Sequence, residues 1–592
     1  MAAPRIIVVG GGLAGLAAVI KIAEAGGTVD LFSIVPVKRS HSVCAQGGIN
    51  AAKNLKGEGD TTAQHFDDTI YGGDFLANQT PVKAMCEAAP AIIDLLDRMG
   101  VPFNRTPEGL LDFRRFGGTL YHRTAFAGAT TGQQLLYALD EQVRRYESEG
   151  KVKKYEGWEF LSAIIDSKGA ARGIVAMDLR SMEVKAFPAD AIILATGGNG
   201  AIFGKSTNSV VCTGSAQSAV FQQGVYYANG EFIQVHPTCI PGEDKLRLMS
   251  ESARGEGGRV WVSRTPGDKR AACDIPEPER FYFLEEWYPK YGNLVPRDIA
   301  TRAIHKVVFE LGLGIDGQPM VYLDLTHIDR ATLHHKLGGI LEIYEKFVGV
   351  DPCVEPMKIF PGMHYTMGGI WVDFNQMTNV PGIFAAGECE YQYHGANRLG
   401  ANSLVSCIFG GFIAGPNAMK YAKGLPAAEG DGGAAAEVLR QSEINKKLIN
   451  NEGGENPFRL WRELGSTMTE HATVIRYNKN LKTADEKIVE LIERFKNVNL
   501  GDKSQWANTS FAFARQLKNM LELSRTVVQG AILRDESRGA HYKPDFPDRN
   551  DERFLKTTKA SFTGAIEGPK FEFEEVDTQF IKPRPRRYDV AK

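Results

Sequence analysis

The sequence predicts a mixed α/β multidomain fold: a Rossmann-like domain interrupted by an α+β capping domain, then a helical bundle and a small C-terminal domain. Three observations carry this. A β-branched run, Arg5–Val9, ends in Gly10-Gly11-Gly12-Leu13-Ala14-Gly15. Two later stretches, AIILATGG (191–198) and VPGIFAAGE (380–388), read as strands running into glycine turns, as if the chain returned to the same sheet. Beyond Ser403 the hydrophobic period becomes helical.

The first element is a strand over Arg5–Val9. The second is a helix over Leu13–Ala25, with apolar Leu16, Ile20 and Ala23 on one face, and Thr28–Ser33 is a second strand. GxGxxG between a strand and a helix is the dinucleotide-binding fingerprint in its required context. Gly10 permits the tight turn, Gly12 lets backbone approach a pyrophosphate, and Gly15 allows close helix–strand contact. The helix start supplies free N–H groups to the phosphates. The ribose-binding acid belongs near the end of the second strand, but Ser33 stands there.

Arg39–Gly48 follows, reading RSHSVCAQGG: an imidazole, His41, then small residues closed by Gln46, Gly47 and Gly48. Ala195, Thr196 and Gly197 form the turn after the third sheet strand, and Glu388 ends the fourth. The expected division is a discontinuous nucleotide domain (1–237 and 355–415), a cap (238–354), a helical domain (416–535) and a C-terminal domain (536–592). The cap region is rich in charge, aromatics and proline. A low-complexity linker is expected over Gly424–Ala436. Ile488, Leu491, Ile492 and Phe495 share a helical face, as do Phe513, Leu517, Met520, Leu521 and Val528. The end is expected to be extended or β-rich, with the basic run KPRPRRYDV as a solvated face or partner contact.

Composition narrows the function classes. A net charge of −2 gives no reason to expect nucleic acid as a partner. The eight cysteines form no CxxC or CxxCH, so zinc, attached haem and a ligated iron–sulfur cluster lack support. Glycine is in excess, 63 of 592 residues, which suits backbone lying close to a ligand. No apolar run reaches the roughly 18 residues of a membrane span. The opening MAAPRIIVVGGG leaves no expectation of a signal or transit peptide.

Polar constellations cluster in or beside the cap: QVHPT with His236, SESARGEGG with Ser250 and Glu251, PRD with Arg297 and Asp298, HYTMGG with His364, and HGANRLG with Arg398. Two histidines and two arginines able to converge on one site suit a small dianion. Guanidinium forks match carboxylates, and imidazoles give directional hydrogen bonds.

Taken in order, GGGLAG, RSHSVCAQGG, ATGG, QVHPT, RGEGG, PRDIATRA, HYTMGG, AAGE, HGANRLGANSL and ESRGAHYK resemble the flavoprotein subunit family of succinate dehydrogenase and quinol:fumarate reductase. The resemblance spans nearly the whole chain. It implies FAD carried covalently on His41, with Ser403 and Leu404 and the flavin acid Glu388 also at the cofactor. It implies substrate ligands at His236, Ser250 (usually threonine), His364 and Arg398, and a proton-carrying Arg297 served by Glu251 and Asp298. Ser215, in CTGSA, stands where an aspartate is expected near the flavin. The implied reaction is hydride transfer between flavin and a four-carbon dicarboxylate, fumarate or succinate. The implied partners are an iron–sulfur subunit and a cytochrome b-type membrane anchor that reaches quinone. The implied place is the cytoplasmic face of a bacterial inner membrane, held peripherally. Within the superfamily the rival is L-aspartate oxidase; Phe116, where that enzyme carries a glutamate for the substrate amine, argues against it, as does His41. A non-catalytic flavin-binding subunit is the other alternative.

Overall fold

The computed structural model describes residues 3–242, 245–425 and 433–589. The middle of the expected linker, 426–432, therefore lies outside the described residues, and its end at 434–436 is corrected to the first turn of the helix Ala434–Ile449. Among them, no helix is long and apolar enough to cross a membrane.

The central sheet has five strands, all parallel, in the order Ile383–Ala385, Ala191–Leu194, Arg5–Val9, Thr28–Ser33, Val152–Glu156. IIVV and AIIL are buried, as befits parallel strands covered on both faces. The chain thus leaves the sheet after residue 194 and returns at 383. The first helix runs Leu13–Glu24, one residue shorter than expected, and packs on the helix Asn402–Lys423. Glycine makes that crossing close: a Cβ on Gly411 would lie 2.3 Å from the Ala14 carbonyl oxygen, and one on Gly415 2.8 Å from that of Ala18. The fingerprint glycines are equally constrained. Gly10 has φ +119, and a Cβ there would come within 2.1 Å of the Ala195 carbonyl; one on Gly15 would meet the Gly10 carbonyl at 1.9 Å.

A six-stranded antiparallel sheet forms the second body, with Ile233–Ile240 and Met357–Thr366 side by side at its heart. Its apolar core joins the helices Arg297–His305 and Arg330–Val348. The third body is helical. Ile488, Leu491, Leu517, Met520, Leu521 and Val528 are buried together, with Phe495 and Phe513 at the edge, on the helices Asn478–Phe495 and Thr509–Leu533.

The C-terminal segment forms a hairpin, Lys556–Phe562 with Pro569–Glu575, that extends a small sheet through Tyr227–Ala228. Beyond it the chain folds back along the first body: Gln79 and Thr80 bond to residues 577–581, and Arg587 N–H donates to the Tyr71 hydroxyl. Lys582, Arg584 and Arg587 of the basic run are exposed, as expected of a solvated face, but one member corrects that expectation. Arg586 is not a solvated charge; its side chain is 6% exposed and grips Asp298. Tyr588 beside it is buried. A buried carboxylate demands a counter-charge, and the tail supplies it.

Candidate active site

A cavity of about 440 Å³ runs from the start of the first helix to the inner face of the six-stranded sheet. At one end it is lined by Gly10, Gly12 and Ser33; in the middle by His41, Gln46, Gly47, Gly48, Ala195, Thr196 and Gly197. At the far end stand Phe116, His236, Ser250, Glu251, Arg297, His364 and Arg398, while Glu388, Ser403 and Leu404 line the middle with His41. Two of the predicted residues do not line it. Gly15 packs behind the turn, and Asp298 faces elsewhere.

The two histidines meet because their strands slip. Gln234 pairs with Tyr365 but Val235 pairs with Met363, so His364 is the extra residue of a β-bulge, a device that re-aims a side chain. Its ring centroid lies 5.0 Å from that of His236. Thr207 Oγ1 meets His364 Nδ1 at 2.7 Å, and Thr238 N–H donates to His236 Nδ1 at 3.2 Å. His236 Nε2 is left buried without a partner. Burial first, then the Arg297 guanidinium, holds both imidazoles well below the ordinary value, so both are neutral at neutral pH.

Arg297 opens the helix Arg297–His305, which is pinned to the histidine strand by Thr301 Oγ1 donating to the Val235 carbonyl at 3.1 Å. Its Nη2 and Nε donate to Glu251 Oε2 at 2.8 and 3.1 Å, and Nη1 donates to Gln234 Oε1 at 2.9 Å. The other oxygen of Glu251 accepts from Arg254 Nη2 at 2.7 Å. Burial alone would raise the Glu251 carboxyl, but Arg297 and Arg254 outweigh it and hold it below the usual range. Arg254 was not singled out from the sequence. The available signal was its spacing from Glu251, three residues on, which on a helical turn puts both on one face.

Asp298 requires correction as a relay member. Its carboxylate accepts from Arg586 at 2.6 and 3.0 Å and from Arg302 at 3.3 Å, on the side facing the C-terminal segment. Neighbours in a helix point about 100° apart, so adjacency to Arg297 in sequence does not bring it to the same site. The chain of contact is Arg297–Glu251–Arg254.

Arg398 lies over the Tyr365 ring at 4.6 Å, with Nε buried and unpaired. Burial, then the neighbouring Arg297, lowers it to about 9. Ser250 Oγ contacts Ser252 Oγ at 2.9 Å. Phe116 packs against Gly47, where a Cβ would meet its ring at 2.7 Å. Arg114, also missed from the sequence, is buried over the Phe126 ring at 4.0 Å, and its Nε donates to the Gly47 carbonyl at 3.1 Å, bracing the small-residue run.

The middle of the cavity fits a flavin dinucleotide. Thr196 Oγ1, Gln46 Oε1 and Ser40 Oγ are buried without partners along its wall. Ala401 adopts φ +61 and starts the helix Asn402–Lys423 without a side-chain cap, so the N–H groups of the first turn, Ser403 and Leu404 included, are available to a ligand. Thr366 N–H donates to Glu388 Oε1 at 3.1 Å, and burial raises that carboxyl to about 7. His41 accepts from Ser209 N–H through Nδ1 at 3.2 Å, while Nε2 has only a 3.3 Å contact to the Asn208 amide. Burial, then Lys245, lowers the imidazole to about 4, leaving it neutral at neutral pH.

Residues 5–404 match the FAD binding domain family, and residues 461–588 match the fumarate reductase flavoprotein C-terminal family. The chain is 62% identical to the succinate dehydrogenase flavoprotein subunit of Bacillus subtilis over the whole of both proteins. It belongs to the succinate dehydrogenase and fumarate reductase flavoprotein family. It is 35% identical to the fumarate reductase flavoprotein subunit of Escherichia coli, with 98% of this chain and 95% of that one covered. A solved Escherichia coli quinol fumarate reductase superposes with a TM-score of 0.91 at 32% identity, covering all of both chains. Mycobacterium smegmatis Sdh1, solved in complex with UQ1, gives 0.82 at 28% identity, with 99% and 96% covered. Members of this family are flavoprotein oxidoreductases, and this chain carries their FAD-binding domain.

Proposed function

We propose that the chain is the catalytic flavoprotein subunit that interconverts succinate and fumarate. One observation carries the reading. Beside two neutral histidines, Arg297 and Arg398 line the cavity end and Arg254 backs Glu251, so three buried guanidiniums stand against the carboxyls of Glu251 and Glu388 and leave an excess of positive charge. That excess matches a dicarboxylate dianion. Buried charge of one sign is costly unless a ligand completes it.

FAD, when bound, supplies the hydride acceptor or donor. The chain's own groups do the rest. His236 Nε2 and Arg398 Nε, free of protein partners, take one carboxylate region; His364 and Ser250 complete the clamp. Phe116 closes the site with an apolar wall that offers no counter-charge to an ammonium group, which disfavours an amino-acid substrate. Arg297 moves the proton to or from the carbon adjacent to the hydride position. A free guanidinium titrates above pH 12, so its proton has to be replaced at once, and Glu251 with Arg254 behind it provides the route. His41 Nε2 is the covalent attachment point for the flavin, since Ser209 already occupies Nδ1.

The proposed division keeps the flavin body at 1–237 and 355–415, the cap at 238–354, the helical body at 416–535 and the C-terminal part at 536–592, with the substrate end between flavin body and cap. Electrons then leave through an iron–sulfur subunit to a cytochrome b-type membrane anchor and quinone, with the chain held peripherally at the cytoplasmic face of a bacterial inner membrane. This reading draws on the relatives, which are named as subunits. Steady-state assay of the assembled complex with succinate plus an artificial acceptor, and with fumarate plus a reduced donor, tests the reading. Turnover in at least one direction is expected; oxidation of aspartate with neither activity overturns it.

A further inference from the structure

We propose that Glu159 is the acid that receives the adenosine half of the dinucleotide, in the place that Ser33 leaves without a carboxylate; this rests on the flavin reading above. The Ser33 carbonyl accepts from Gly157 N–H at 2.8 Å, so the turn before the strand Trp158–Ile165 abuts the end of the strand Thr28–Ser33. The ribose of a dinucleotide belongs at that strand end. Trp158 and Glu159 line the same cavity as Ser33 and Ser215.

Glu159 is 4% exposed. Gln516 Nε2 donates to its Oε1 at 3.0 Å, and its Oε2 is buried with no partner. An acceptor stranded in this way is costly unless a donor arrives, and burial accordingly raises the carboxyl to about 7. The vicinal hydroxyls of a ribose are donors of the right kind. Ser33 packs under the fingerprint turn, 3.0 Å from where a Cβ on Gly11 would lie, and supplies a hydroxyl but no carboxylate. Ser215 Oγ accepts from Asn519 Nδ2 at 2.8 Å. Gln516 and Asn519 are three residues apart on the helix Thr509–Leu533 and share a face. The helical body thus presents two amides to this wall: one holds Ser215, the other orients Glu159 and leaves its second oxygen for the ligand.

The test uses the full-length chain carrying His41→Ser, so that flavin is exchangeable, stripped and titrated with FAD and with FMN, which lacks adenosine. Glu159→Gln and Glu159→Leu should each weaken FAD binding by about tenfold or more while FMN binding stays unchanged. Equal losses for FAD and FMN would mean a general packing defect and overturn the assignment; so would unchanged FAD affinity. Failure of the His41→Ser chain, with Glu159 intact, to bind either flavin would overturn the flavin reading itself, and this assignment with it.

Discussion

Arg586 donates to both oxygens of Asp298, at 2.6 and 3.0 Å, so a residue near the C-terminus holds the second residue of the helix that begins with Arg297. Burial alone would raise the Asp298 carboxyl; Arg586 holds it below its usual 3.8. A depressed acid stabilises the fold above its unfolded value, and that contribution is lost as the pH falls through the folded one. Arg586→Met should cost about 3–5 kcal/mol. The loss in Tm should be large near pH 7 and shrink toward pH 4, as the stranded carboxyl protonates. Adding Asp298→Asn should recover part of the loss at neutral pH. A Tm gap independent of pH would show that the pair contributes packing only.

Arg297→Gln should lower kcat by roughly 10²–10⁴-fold, the range of a lost general acid or base, with flavin content and fold retained. Arg254→Met should have a smaller effect in the same direction, because Glu251 keeps its bonds to Arg297 but loses the guanidinium behind it. The informative readout is kcat at saturating dicarboxylate. A change confined to KM would make Arg254 a binding residue and break the relay.

His41→Ser removes the one imidazole in the middle of the cavity. The variant should keep FAD non-covalently, lose succinate oxidation and retain some fumarate reduction. Flavin fluorescence on the denatured polypeptide is expected in the unsubstituted chain and not in the variant. Complete release of flavin from the denatured unsubstituted chain would exclude the attachment.

Gly411→Ala forces a methyl against the Ala14 carbonyl at 2.3 Å, where neither helix has room to yield. A cost of about 1–3 kcal/mol is expected from overpacking, read as a lower Tm and weaker flavin retention. Gly454, where an added Cβ meets nothing within 4 Å, is the control, and Gly454→Ala should leave both unchanged.

The sequence showed what is local and hid what depends on the third dimension. Gly10, Gly12, His41, His236, Arg297, His364 and Arg398 sit in short motifs whose residue types announce their chemistry, and the fold gathers all of them around one cavity. Arg254 was hidden because an arginine in a charged, glycine-rich run looks like any solvated charge until the helical turn places it on Glu251. Asp298 was misplaced because adjacency in sequence is not adjacency on a helix. Arg586 was unreadable for a different reason: its partner lies 288 residues away. Glu159 likewise depends on Gln516.

The sheet strand Ile383–Ala385 and the helix start at Ser403 also bear on how the protein is made. A ribosome releases the first four strands and the fingerprint turn early, yet this edge strand, Glu388 and the uncapped N–H groups after Ala401 follow only some two hundred residues later, after the intervening cap. Until then the growing chain presents a half-built trough with an exposed apolar strand edge, and such contacts of high sequence separation form slowly. The flavin cradle is therefore complete only late in synthesis, once the chain has passed Leu404.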